Sequence, residues 1–242
     1  MRRLAFMAVV LLMSCTARAG FSWDLRAGVK GALTGNLWSD PDDKLPGSAP
    51  IWGDSQFFVG GGGGAFVEVA LFGYLGFEVD FLFEANSLKY NETISGFEYD
   101  YYTRFKQIRI PLIVKGILPL GNVELSLGLG PEFVIGVDAN VDIDYRTKLT
   151  AAQKQQADAL LKPLYQADKT SGTFLDTELG VSIKIWKLII PISLRVGFNL
   201  SQSEKFDDRV DVTTSGATVT GAKVHAIETY NFALFAGVGY VF

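Results

Sequence analysis

The 242-residue sequence predicts an all-β chain: an eight-stranded antiparallel up-and-down transmembrane β-barrel with short turns at one end and long loops at the other. Three observations predict it. Eight segments alternate apolar with polar or small residues at a period of two, short and long connections join them in turn, and the apolar face carries almost no charge. The last segment shows the pattern best, with Phe242, Tyr240, Val238, Ala236, Leu234, Phe232 and Tyr230 on one face and Val241, Gly239, Gly237, Phe235, Ala233 and Asn231 on the other. A strand in a membrane barrel puts its apolar face on lipid and its polar or small face on the lumen.

The N-terminus reads as an export address. Arg2 and Arg3 precede an apolar run from Leu4 to Met13 and a small-residue site, Ala17-Arg18-Ala19, the layout of a secretory signal peptide. That run is far short of the roughly 20 residues a spanning helix needs. Residues 1–19 are therefore expected to be a signal cleaved before Gly20, and 20–242 the barrel domain. Leu12-Met13-Ser14-Cys15 is a looser, rival lipoprotein box that would make a lipidated Cys15 the first residue. With cleavage at Gly20 the only cysteine is lost, which excludes disulfides and thiol chemistry. Cleavage also removes three arginines and no acid, leaving 19 basic against 26 acidic residues, a net charge of −7. An acidic chain of this kind argues against nucleic acid as a partner.

The elements follow in order. Strand one begins at Phe21, with Phe21, Trp23, Leu25, Ala27 and Val29 opposite Ser22, Asp24, Arg26, Gly28 and Lys30. A loop rich in Asp, Pro, Gly and Ser (38–56) leads to strand two, Phe57 to Leu71, which the run Gly60 to Gly64 is expected to interrupt. A three-residue turn then opens strand three, Leu75 to about Leu88. A loop (89–100) leads to strand four, about Tyr101 to Ile117, and the turn Leu118-Pro119-Leu120-Gly121 to strand five, Val123 to Asp138. In the polar insert 139–172, the Ala-, Gln- and Lys-rich stretch from Thr150 predicts a short surface helix ending near Pro163. Strand six (Thr173 to Ile185), a two-residue turn at Trp186-Lys187, strand seven (Leu188 to Leu200), a polar loop (201–223) and strand eight (Val224 to Phe242) complete the count. Pro111 and Pro131 fall inside strands, where a missing amide donor implies a bulge or locally broken pairing.

Alternation alone does not say which face meets lipid, because a soluble lipocalin-like barrel has the same period with its apolar face inward. The terminal Phe242, the uncharged apolar face and the aromatic residues near strand ends (Trp23, Trp186, Tyr240) favour the membrane. A lysine or arginine facing lipid at the midplane costs about 2–4 kcal/mol. Glu228 is the one acidic residue whose parity places it on the apolar face.

With its signal, eight alternating strands, the stretch Arg109-Ile110-Pro111-Leu112-Ile113-Val114-Lys115, the segment Leu127-Gly128-Leu129-Gly130-Pro131 and the terminal Phe242, the mature chain resembles small bacterial outer-membrane barrels of the OmpA/OmpX kind, and more closely the PorT-like outer-membrane β-barrel group. The resemblance implies the outer membrane of a Gram-negative-type bacterium, with short turns in the periplasm and long loops outside. It specifies architecture and location more than activity. Assembly is expected to use the barrel-insertion machinery, with Tyr240 and Phe242 as its signal.

The lumen of eight strands is about wide enough for its own side chains. Mixed charges facing inward are expected to form a plugging salt-bridge network of Asp24, Arg26, Lys30, Glu68, Glu78, Asp80, Arg109, Lys115, Glu124, Glu132, Glu178 and Arg195, alongside Glu84, Asp138, Asp176 and Lys184. The turn at Trp186-Lys187 sets Ile185 opposite Leu188 and Glu178 opposite Arg195. A similar count around Pro119 places Lys115 near Glu124. No nucleophile motif accompanies the only histidine, His225, near Ser201, Ser203, Asp207, Asp208 and Asp211. Asp40-Pro41-Asp42-Asp43 lacks the spacing of an EF-hand loop, and no Gly-Lys-Ser or Gly-Lys-Thr follows Gly60 to Gly64. The expected role is non-enzymatic, without cofactor or metal: a barrel held in outer-membrane lipid whose loops meet an extracellular ligand or surface partner. A narrow channel or transporter for small or apolar solutes, with a lateral gap at the glycine-rich strand, and a periplasmic lipocalin-like binder are the alternatives.

Overall fold

A computed structural model describes residues 22–39, 56–94, 97–146, 148–161, 165–167, 169, 171–201, 210–214, 217–224 and 227–242. The signal peptide with Cys15 and Gly20, the segment Asp40 to Asp43, Ser203, Asp207, Asp208 and His225 lie outside these residues.

The alternating segments become β1 (Trp23–Ser39), β2 (Gln56–Leu71), β3 (Leu75–Ile94), β4 (Phe97–Leu120), β5 (Val123–Tyr145), β7 (Gly172–Ile185), β8 (Leu188–Asn199) and β11 (Ile227–Val241). They close into one antiparallel barrel in which each strand pairs with the next and β1 pairs with β11. Between β5 and β7 lie helix α1 (Ala151–Leu161) and the short strand β6 (Tyr165–Ala167). Thr150 and Gln153 start the helix as a reciprocal cap: Gln153 N donates to Thr150 Oγ1 (3.3 Å) and Thr150 N to Gln153 Oε1 (2.9 Å). Strands β9 (Val210–Thr214) and β10 (Ala217–Val224) form a hairpin beyond β8, and β10 also pairs in parallel with β6.

Several sequence expectations need correction. The glycine run does not interrupt β2: Gly60 to Gly64 pair with Thr34 to Lys30 of β1, and Gly61 to Gly64 with Ala85 to Leu82 of β3. No lateral gap opens there. Glycine is used because the inward positions have no room: a Cβ on Gly60 would lie 1.7 Å from Asn86 Oδ1, and one on Gly64 would lie 1.8 Å from the Phe81 carbonyl. The segment 89–100 is not a loop, since β3 and β4 stay paired up to Ile94 opposite Phe97, and β5 likewise runs on to Tyr145. Beyond the lipid-facing band neither face must be apolar, so the alternation signal fades while the ladder continues.

Prolines mark local breaks in the ladder. Pairing of β3 with β4 skips from Val79–Leu112 to Leu82–Arg109 at Pro111, and that of β4 with β5 skips from Pro111–Glu132 to Val114–Leu129 at Pro131. Pro191 makes the same break between β8 and β11. In all three the register is unchanged on the two sides, so each proline removes a donor without adding a residue.

Candidate functional site: the charged lumen

The barrel is polar inside and apolar outside. Arg26, Arg109, Arg195, Asp80, Glu84 and Glu178 are each 2% exposed or less, whereas Val29, Leu127, Leu129, Leu179 and Phe81 project outward and are exposed. This is the reverse of a lipocalin-like barrel, whose interior is the apolar face. Leaving such a wall in water would be costly, and five arginines and lysines are buried behind it.

The buried charges fall into three tiers. At the short-turn end, Arg26 Nη1 meets Glu68 Oε1 (2.7 Å) and Glu124 Oε2 (2.8 Å), and Lys184 Nζ meets Glu124 Oε1 (2.6 Å). Asp24, at the half-exposed mouth, lies 3.8 Å from Arg26. In the middle tier Lys30 bridges Glu78 (2.7 Å) and Asp80 (3.0 Å), and Lys115 bridges Glu78 and Glu178 (2.7 Å each). Arg195 binds Asp80 (2.8 Å) and Glu178 (2.5 Å) and stacks over Phe235, 4.7 Å from the ring centre. Glu68 links the two tiers, since its second oxygen lies 3.6 Å from Lys115. In the outer tier Arg109 alone holds Glu84 (2.7 Å), Glu132 (2.5 Å) and Glu228, and it also donates to Gln107 (3.2 Å).

All twelve residues assigned to the network from sequence take part, and Glu178 does pair with Arg195 across the Trp186-Lys187 turn. The expectation for Lys115 was wrong. It stands opposite Gly128, while Glu124 stands opposite Pro119 and belongs to Arg26 and Lys184. The chain reverses at Gly121 (φ +69°), two residues after Pro119, and that offset shifts every partner along β5.

Two bulges move charges from the face their parity assigns. Trp38 pairs with Glu228 while Leu37 pairs with Tyr230, so Thr229 is an extra residue and Glu228 turns into the lumen, where Arg109 and Asn231 receive it. The apolar face thus loses its one acidic exception. Between Lys106–Asp138 and Gln107–Gly136, Val137 is the extra residue, and Asp138 points outward rather than inward. There it accepts a hydrogen bond from Lys106 (2.9 Å), which holds its carboxyl below the usual carboxylate range. Sequence reasoning also passed over the neutral partners Asn36, Asn86 and Asn231, whose inward parity was a usable signal.

Among the described residues no group of three or more His, Cys, Asp and Glu is arranged to hold a metal ion, and no helix is long and apolar enough to cross a membrane, which says nothing of a β-barrel.

No family model and no curated protein matches the sequence. Among solved structures the chain is similar to small outer-membrane proteins. Neisserial surface protein A is 11% identical over 93% of this chain and 100% of that one, with a TM-score of 0.40. OprG of Pseudomonas aeruginosa is 14% identical over 93% and 96%, with a TM-score of 0.40. The outer membrane protein AlkL is 13% identical over 93% and 92%, with a TM-score of 0.42.

Proposed function

We propose that this chain is an integral outer-membrane protein of a Gram-negative-type bacterium, exported by its N-terminal signal and inserted by the barrel-assembly machinery. Its body is a plugged, non-enzymatic anchor. The elements beyond the long-loop end, β6, α1 and the β9–β10 hairpin, serve structural or surface-interaction roles toward an extracellular partner. One observation carries the reading: the wall is apolar outward along every barrel strand, while ion pairs cross the lumen from Arg26 to Arg109. Only lipid matches such an exterior, and a lumen crossed by paired charges leaves little room for an open pore.

The test is to fold residues 20–242 into lipid vesicles, follow heat-modifiable gel migration and record single-channel currents on the folded material. Folding that requires amphiphile, with no conductance, is the expected result. A steady conductance would replace the anchor with a channel, and a water-soluble β-rich monomer would remove the membrane assignment.

A further inference from the structure

The charges of the lumen are not balanced evenly along its length. At the short-turn end Arg26 and Lys184 answer Glu68 and Glu124, and in the middle tier Lys30, Lys115 and Arg195 answer Glu78, Asp80 and Glu178. In the outer tier one cation, Arg109, faces the carboxyl groups of Glu84 from β3, Glu132 from β5 and Glu228 from β11, with Asp176 of β7 beside them. Among the described residues the other strands add no charge of their own there: β1 contributes Thr34 and Asn36 and β2 contributes Gly60 and Gly62. The nearest cation of β8, Arg195, approaches Asp176 only to 3.9 Å while engaged with Glu178 and Asp80.

Asp176 supplies a second observation. It is 1% exposed, and its Oδ2 has no hydrogen-bond donor among the described residues. Asp176 pairs with Gly130 and Phe174 with Glu132, so the two carboxyl groups are diagonal neighbours on the lumen face of β5 and β7. Two carboxylates only accept, so neither can donate to the other unless it carries a proton. Two neighbouring buried carboxyls cannot both ionise cheaply, and a proton on one of them relieves the repulsion.

We propose that the outer tier of the lumen is a proton-binding site in which a proton held at Asp176, beside Glu132, completes the plug where the described residues provide no further cation. The proposal rests on the lumen being sealed from water by a lipid-embedded wall. In water the four carboxyls would be solvated and ionised.

The experiment is infrared spectroscopy of the barrel folded in lipid vesicles at neutral pH, with heat-modifiable migration checked on the same sample. Folded wild type is expected to show the carbonyl stretch of a protonated carboxyl. Asp176→Asn and Glu132→Gln are each expected to lose it, and Asp142→Asn, on the exposed Arg104–Asp142 pair, to retain it. If either lumen variant fails to fold, wild type carrying carboxyl-labelled aspartate decides, since a proton held at Asp176 moves part of the band. A folded wild type without the band overturns the proposal, because the carboxyls are then all ionised. A band unchanged in both variants, or unmoved by the label, overturns it as well. A chain that does not fold in amphiphile is seen first on the gel and removes the membrane reading together with this one.

Discussion

Replacing Arg195 with methionine tests whether the lumen is an ion-pair network or a set of unrelated contacts. Methionine retains the apolar length that lies over Phe235 and removes the guanidinium that binds Asp80 (2.8 Å) and Glu178 (2.5 Å). Breaking a buried pair by deleting one partner costs about 3–5 kcal/mol, because the remaining charge is left without compensation. Here the compensation is partial. Lys30 still lies 3.0 Å from Asp80, and Lys115 still lies 2.7 Å from Glu178. The expected loss for R195M is therefore near the lower end, about 3 kcal/mol. Arg109 has no such reserve, since no second cation reaches Glu84, Glu132 or Glu228 among the described ion pairs. R109M should reach the upper end, about 5 kcal/mol. Guanidinium unfolding from lipid vesicles, followed by tryptophan fluorescence and gel migration, measures both. The double variant R195M/E178M should recover part of the R195M loss. A cost for R195M below about 1 kcal/mol, the value of an exposed pair, would refute the network, as would R195M exceeding R109M.

Further outcomes follow from the wall and the turns. Leu129→Arg, at an outward position of β5 that is 52% exposed, should cost about 2–4 kcal/mol in vesicles, and a neutral result would count against Leu129 facing lipid. Gly64→Ala forces a Cβ to 1.8 Å from the Phe81 carbonyl and should cost about 1–3 kcal/mol in the same unfolding assay. Gly31→Ala, whose nearest neighbour would be the Gly62 carbonyl at 4.0 Å, should stay within about 0.5 kcal/mol, and equal losses in the pair would contradict the packing argument. Removing Phe242, whose amide donates to Leu25 O (2.9 Å) and whose ring packs edge-on against Tyr240 (5.1 Å), should lower the inserted yield in cells; unchanged yield would sink its role in assembly.

Parity explains both what the sequence revealed and what it hid. A strand has a period of two, so one well-placed turn assigns every later side chain to a face and a partner. The two-residue turn at Trp186-Lys187 sets Ile185 opposite Leu188, and Glu178 meets Arg195 as that register requires. A count centred on Pro119 places the next turn two residues early; two is an even number, so the faces survive while the partners move, and Lys115 is matched to the wrong glutamate. A bulge is an odd shift and inverts the face itself. Thr229 and Val137 each do this near the long-loop ends of their strands, which is why parity alone assigns Glu228 to lipid and Asp138 to the lumen. An extra residue in a strand has no composition signal, so such errors collect beyond the bulges, far from the short turns that anchor the count. Those are also the levels where the single base Arg109 meets three acids, so the tier with the most unusual electrostatics is the one that alternation alone resolves least well.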